Sequence, residues 1–172
     1  MTIDAAGVCF VGIGSPHGDD VAGWRVAAGL RERQLAGWDV HVAASPIDLL
    51  DWVRPDRPLW VADACRGEWG DCERGGWEDW RWPCEELRVT WGGGTHDFSL
   101  PGVLTLAHRL GSLPAEVRLW GIWGGEFGPG RGTGQQLGRV VEQVVEAIER
   151  AWGGRGIRST SLGGGPRGAG HA

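Results

Sequence analysis

The chain has 172 residues and a formal net charge of −5, enough length for one domain with its own core and the wrong charge balance for nucleic-acid binding, which needs a basic footprint. No stretch is apolar enough to span a bilayer, so no membrane partner is expected. The opening MTIDAAG lacks the basic segment and apolar region of a secretory signal, so the expected location is the cytoplasm.

Val8 to Val11 is a short apolar run that stops at Gly12-Ile13-Gly14-Ser15-Pro16, the pattern of a buried strand ending in a sharp turn. Asp19 and Asp20 follow and open an amphipathic helix over Val21 to Leu35, ended by Gly37. Acidic residues in a first turn complement the helix dipole. One capping carboxylate would suffice, however, and two adjacent like charges repel unless a cation or proton sits between them. Asp39 to Ala43 alternates as a second strand. Ser45 and Pro46 then start a helix as cap and first residue, with Ile47, Leu49, Leu50, Trp52 and Val53 as its apolar face.

Leu59 to Ala62 is a continuously apolar third strand that ends on Asp63. Residues 66–84 hold four glycines and four tryptophans (Trp69, Trp77, Trp80, Trp82) without a period, and are expected to form a long loop. Those tryptophans either pack on the body of the domain or form a face for a partner. Glu86 to Trp91 is the expected fourth strand, followed by the turn Gly92-Gly93-Gly94-Thr95-His96-Asp97. Ser99 caps a helix that runs to Leu110 and stops at Gly111; Val117 to Trp123 is the fifth strand; Gly124 to Gly134 is a glycine-rich loop. Gln135 to Trp152 is the last amphipathic helix. The Gly/Arg/Ser-rich tail, 153–172, is expected to be disordered, so the folded domain is placed at 1–152. The four cysteines, Cys9, Cys65, Cys72 and Cys84, form no Cys-x-x-Cys pair, which speaks against a zinc knuckle or thioredoxin-type site. Cys9 reads as a buried strand residue, and a disulfide among the other three stays open.

Strands alternating with helices imply an α/β domain with a mainly parallel sheet, and in such sheets function collects beyond the carboxyl ends of the strands. That rule gathers Asp19 and Asp20 after strand one, Asp63 after strand three, His96 after strand four and Glu126 after strand five. Each has a plainer role when taken singly, as a helix cap, a turn residue or a solvated side chain. Together, two carboxylates and an imidazole suit a borderline divalent ion such as zinc, nickel or cobalt better than magnesium. His17 is placed at the rim. The spacing fails a dinucleotide fingerprint, whose third glycine would fall at His17, and paired aspartates at the helix start would repel a pyrophosphate, so nucleotide binding is not expected.

The segment from Gly12 to Gly23, GIGSPHGDDVAG, resembles the opening signature of the hydrogenase maturation proteases, Gly-x-Gly-Asn-x-x-x-x-Asp-(Asp/Glu)-Gly-x-Gly. Leu59 to Ala64 is similar to that family's strand ending in Asp-Ala. Thr95 to Leu100 is similar to its Ser/Thr-His segment before a helix. Leu106 to Pro114, followed by Val117 to Ile122, is similar to its Leu-Pro exit and Gly-Ile strand. The likeness runs over about residues 8–150 in order and spacing. It departs in a first loop one residue shorter, in Ser15 where asparagine is usual and in Val21 where glycine often follows the acid pair.

The resemblance implies a three-layer α/β/α sandwich around a mainly parallel five-stranded sheet. It implies an endopeptidase, classed as aspartic-type, that removes a C-terminal extension from the nickel-loaded large-subunit precursor of a nickel-iron hydrogenase. It places metal binding on Asp20, Asp63 and His96, with nickel presented by the substrate and zinc or another divalent ion able to substitute. Asp19 is either a general base or a cap. Two other classes stay open: a metal-dependent hydrolase of other peptides or small molecules, and a non-catalytic hydrogenase assembly factor.

Overall fold

A computed structural model of the chain describes residues 7–66, 76–85, 99–128, 130 and 132–157. Strand β1 (Cys9–Ile13) leads through a 3-10 turn (Asp19–Val21) into α1 (Ala22–Arg33) and then β2 (Asp39–Ala43). A 3-10 segment (Pro46–Asp51) connects to β3 (Leu59–Arg66), followed by β4 (Trp77–Arg81), α2 (Leu100–Arg109), β5 (Val117–Gly124) and α3 (Leu137–Ile157). The five strands form one sheet in the order β2-β1-β3-β5-β4. The pairs β1–β2, β1–β3 and β3–β5 are parallel, and β4 runs antiparallel along β5.

The chain leaves β1 toward β2 on one side and β3 toward β5 on the other. Right-handed crossovers therefore drop their helices on opposite faces. On one face α1 and α3 bury Val26, Ala27, Leu30, Val140, Val144 and Ile148 against Phe10, Trp60 and Trp120. On the other, α2 and the 3-10 segment bury Leu49, Val53, Val103 and Leu104 against Val11, Val61 and Leu119. This is the expected three-layer α/β/α sandwich. Two glycines set the spacing of its upper layer. A Cβ at Gly12 would stand 2.0 Å from the carbonyl oxygen of Gly23, and a Cβ at Gly23 would stand 2.1 Å from that of Ile13, so helix and strand meet backbone to backbone.

Several boundaries differ from the sequence expectation. The first helix begins as a 3-10 turn and ends at Gln34, which takes a left-handed conformation (φ 50°), rather than at Gly37, whose φ of 78° turns the chain into β2. The helix expected after Ser45 is a short 3-10 segment whose entry is fixed by Asp48, its carboxylate accepting from the amides of Ser45 (3.0 Å) and Ala44 (3.1 Å). The supposed loop 66–84 contains β4. Its sequence, Trp-Glu-Asp-Trp-Arg, hides the alternation because Trp77 packs into one core layer and Trp80 into the other, as an edge strand overhung by both layers allows. The strand expected over 86–91 lies outside the described residues. The last helix continues five residues past Trp152, through Gly153 and Gly154 to Ile157. Trp152 anchors that end, edge-on to Trp38 at 5.5 Å and to Trp60 at 6.2 Å, and helix propagation continues from the anchored turn. Residues 158–172 lie outside the described residues. Among the described residues Cys9, Cys65 and Cys84 form no disulfide; Cys9 and Cys65 are buried and Cys84 is half-buried.

Candidate active site at the carboxyl ends of the strands

Pairing between β1 and β3 stops at Gly12 opposite Ala62. From there β3 and β5 continue together, Asp63 opposite Gly121 and onward to Arg66 opposite Gly124. Asp63 is therefore inside β3 rather than at its end, at the first position where β1 has peeled away. The crevice so opened, between strands whose connections depart in opposite directions, is the switch point at which α/β sheets bind ligands. Asp63 is buried, and its Oδ1 accepts from the amide of Ala64 at 2.8 Å. A buried carboxylate is costly unless hydrogen-bonded or paired, and such placement marks functional clefts.

The turn bearing Asp19 and Asp20 packs against β3. Gly18 makes that turn possible, with φ 59° and ψ −137°, a conformation strained for any side chain. Gly14 allows the chain to fold back on itself: its Cβ would lie 2.1 Å from the carbonyl oxygen of Asp20, which instead accepts from the amide of Ser15 at 3.2 Å. Asp20 is left half-buried in this turn.

Asp19 does not cap the helix. The 3-10 turn makes no side-chain cap bond. The Asp19 carboxylate is fully buried and turned toward the β5–α3 loop. Its Oδ2 accepts from the amides of Gly125 and Glu126, both at 3.0 Å, and its Oδ1 accepts from Gly134 at 2.7 Å. Its own amide donates to the carbonyl of Glu126, and Gly18 bridges to Phe127. No sequence spacing signals these contacts, because the partners are backbone amides more than a hundred residues away.

His96 lies outside the described residues. The described chain resumes at Ser99, three residues on, where the Ser99 hydroxyl caps α2 by accepting from the amide of Gly102 at 3.4 Å. Among the described residues no three metal-capable side chains gather, so the described part of the site consists of Asp63 and the Asp20 turn. His17 is exposed, as expected for the rim, and Glu126 is exposed on the loop that Asp19 holds. His41 has the partners its sequence neighbourhood does not reveal: it stacks on Trp52 at 5.0 Å and meets Asp39 at 3.0 Å. Burial pushes the Asp39 carboxyl up, but the hydrogen bonds and charges of His41 and Arg57 outweigh it and hold the group below the usual carboxylate range.

Away from the strand ends, a groove of about 380 Å³ lies between β4, β5 and α3, lined by Trp77, Asp79, Arg118, Trp120, Ala147 and Arg150. Arg118 is held there by Asp79 at 3.0 Å and lies over the rings of Trp60 and Trp120. Its partners give it a packing role over the tryptophan cluster.

The fold defined by this sheet order and these strand ends is one found in solved hydrogenase maturation endopeptidases. The hydrogenase maturating endopeptidase HybD from E. coli is 20% identical, superposes with a TM-score of 0.66 and covers 87% of this chain and 94% of its own. The NiFe hydrogenase maturation protease HycI from Thermococcus kodakarensis is 20% identical, with a TM-score of 0.59, covering 83% and 90%. A hydrogenase 3 maturation protease is 22% identical, with a TM-score of 0.61, covering 83% and 88%. No protein-family model matches the sequence, and no curated protein sequence matches it. Among the described residues no helix is long and apolar enough to cross a membrane.

Proposed function

We propose that this chain is a cytoplasmic endopeptidase that removes a C-terminal extension from the nickel-loaded large subunit of a nickel-iron hydrogenase. The observation that carries the reading is the buried Asp63 at the β1–β3 switch point with the Asp20 turn packed on its strand, in a fold like that of HybD and HycI. In this reading Asp20, Asp63 and His96 meet the substrate's nickel at positions its own thiolates leave free. Two carboxylates and an imidazole are donors that nickel accepts, and zinc or another divalent ion is expected to substitute. Cleavage is then conditional on nickel insertion, since a precursor without the ion offers these side chains nothing to grip.

A divalent ion so placed polarises a carbonyl or lowers the pKa of a bound water. The protein's own part is to fix the two carboxylates on rigid elements, Asp63 within β3 and Asp20 in the turn wedged against it. Asp19, sealed from solvent with three amides on its oxygens, has no access to a substrate proton and takes no part as a base.

The test is to mix the purified protein with nickel-loaded and nickel-free precursor and follow the mass of each. Loss of the extension from the loaded precursor alone is expected. Equal cleavage of both would defeat the gating, and an unchanged mass with a stable complex would favour an assembly factor. Stoichiometric zinc in the purified protein would favour a self-contained metallohydrolase.

A further inference from the structure

We propose that Asp19 is a positioning residue: its carboxylate latches the β5–α3 loop onto the turn that carries Asp20, and the latched loop forms one wall of the cleft that receives the substrate chain. The occupant of the cleft rests on the endopeptidase reading; the latch rests on geometry alone.

The carboxylate is fully buried, and three charge-assisted amide bonds offset that burial. The bonds reach both ends of the loop, Gly125 and Glu126 at one and Gly134 at the other. The backbone at both ends of the loop stands close to the carboxylate: a Cβ at Gly124, the last residue of β5, would stand 2.6 Å from the Asp19 Cβ, and a Cβ at Gly134 would stand 3.3 Å from its Oδ1. A segment this rich in glycine has much conformational freedom to lose, and one shape is held only if something fixes its ends. The Asp19 amide bond to Glu126 and the Gly18–Phe127 bridge continue the seam.

What the latch positions is Phe127. Its ring lies 5.0 Å beneath the guanidinium of Arg66, and Arg66 is exposed at the end of β3, three residues beyond Asp63. The loop thereby places an aromatic platform and a cation at the end of the strand that bears the buried carboxylate, on the sheet face opposite the one Asp63 points to. This surface touches substrate away from the reacting atoms, so losing it weakens ground and transition states alike, raising KM and leaving kcat.

The experiment uses the full chain and the nickel-loaded precursor, with Asp19→Asn and Phe127→Ala. Asparagine keeps one acceptor oxygen but turns an NH₂ toward the amide donors on its other side, so the loop loses at least one of its three bonds, and the charge that strengthens the rest, and the latch is weakened. The expected result for Asp19→Asn is a rise in KM of about tenfold with kcat within about twofold. In the same variant, without substrate, amide exchange at Gly125, Glu126 and Gly134 should accelerate about tenfold. Phe127→Ala leaves the backbone bonds in place and should raise KM without changing exchange at Gly134. Loosened amides with unchanged kinetics in Asp19→Asn, or a loss confined to kcat, would overturn the proposal. Should Asp19→Asn fail to fold, an unchanged KM in Phe127→Ala overturns it by itself. Absence of cleavage by the wild-type chain would refute the endopeptidase reading instead, and the exchange rates would still decide for or against the latch.

Discussion

Replacing Gly23 by alanine tests how closely the site depends on the contact between α1 and the sheet. The added Cβ would sit 2.1 Å from the carbonyl oxygen of Ile13, 2.6 Å from that of Ala62 and 2.7 Å from the amide nitrogen of Ile13. All three are backbone atoms of strands buried on both faces, so no side chain can swing aside. Restoring an ordinary separation of about 3.5 Å requires α1 to lift by roughly 1.4 Å. Overpacking of this kind costs up to about 3 kcal/mol, while alanine in a helix interior recovers about 1 kcal/mol over glycine. The net loss of about 2 kcal/mol should lower Tm by about 4–8 °C for a chain of this size. Calorimetry or thermal circular dichroism measures it. Gly153→Ala is the control: it lies in α3 with nothing within 4 Å of the new Cβ, and should stabilise by about 0.5–1 kcal/mol. Because the Asp20 turn leads directly into α1, cleavage should also fall in Gly23→Ala. A Tm equal to or above that of the wild type would refute the close-contact account of the layer spacing.

Three further outcomes are expected. Asp63→Asn keeps an acceptor for the Ala64 amide and should fold with an unchanged Tm, yet lose cleavage by at least about a hundredfold, since altering even an outer partner of a metal ligand costs about 10–100-fold; retained activity in the mass assay would remove Asp63 from the site. Asp39, held below its usual range against the opposing effect of burial, contributes stability that is complete above the unperturbed pKa of 3.8 and vanishes as pH falls through the lower folded value; Tm followed from pH 7 into acid should drop less steeply in Asp39→Asn. Burial, opposed in part by Arg57, pushes the Cys9 thiol from 9.0 up to about 11, so Cys9 should resist maleimide at pH 8 until the chain is unfolded, and its contribution to stability should fade as pH rises from about 9 towards 11; rapid labelling of the native protein, read by peptide mass, would contradict its place in β1.

Local patterns in the sequence were enough for the alternation of strands and helices, the mainly parallel character of the sheet and the carboxylates near its carboxyl edge. Hydrophobic runs such as Leu59–Ala62 and the helical stripe from Leu137 to Ile148 are local signals, fixed by the period each element imposes. The pair Asp19-Asp20 was legible as unusual for the same reason, since neighbouring like charges need an explanation. What each of the two does was decided only in three dimensions. Asp20 stays half-buried, whereas Asp19 turns inward to amides of Gly125, Glu126 and Gly134, which have no residue-type signature to read. Strand β4 was hidden similarly, because Trp77 and Trp80 serve opposite layers and a strand with a tryptophan on each face shows no apolar/polar alternation. The position of Asp63 inside β3, just past the last β1 pair, also belongs to the tertiary structure: β3 runs on to Arg66 because β5 keeps pairing with it, and neither that partner nor the point at which β1 departs is written in the residues of β3.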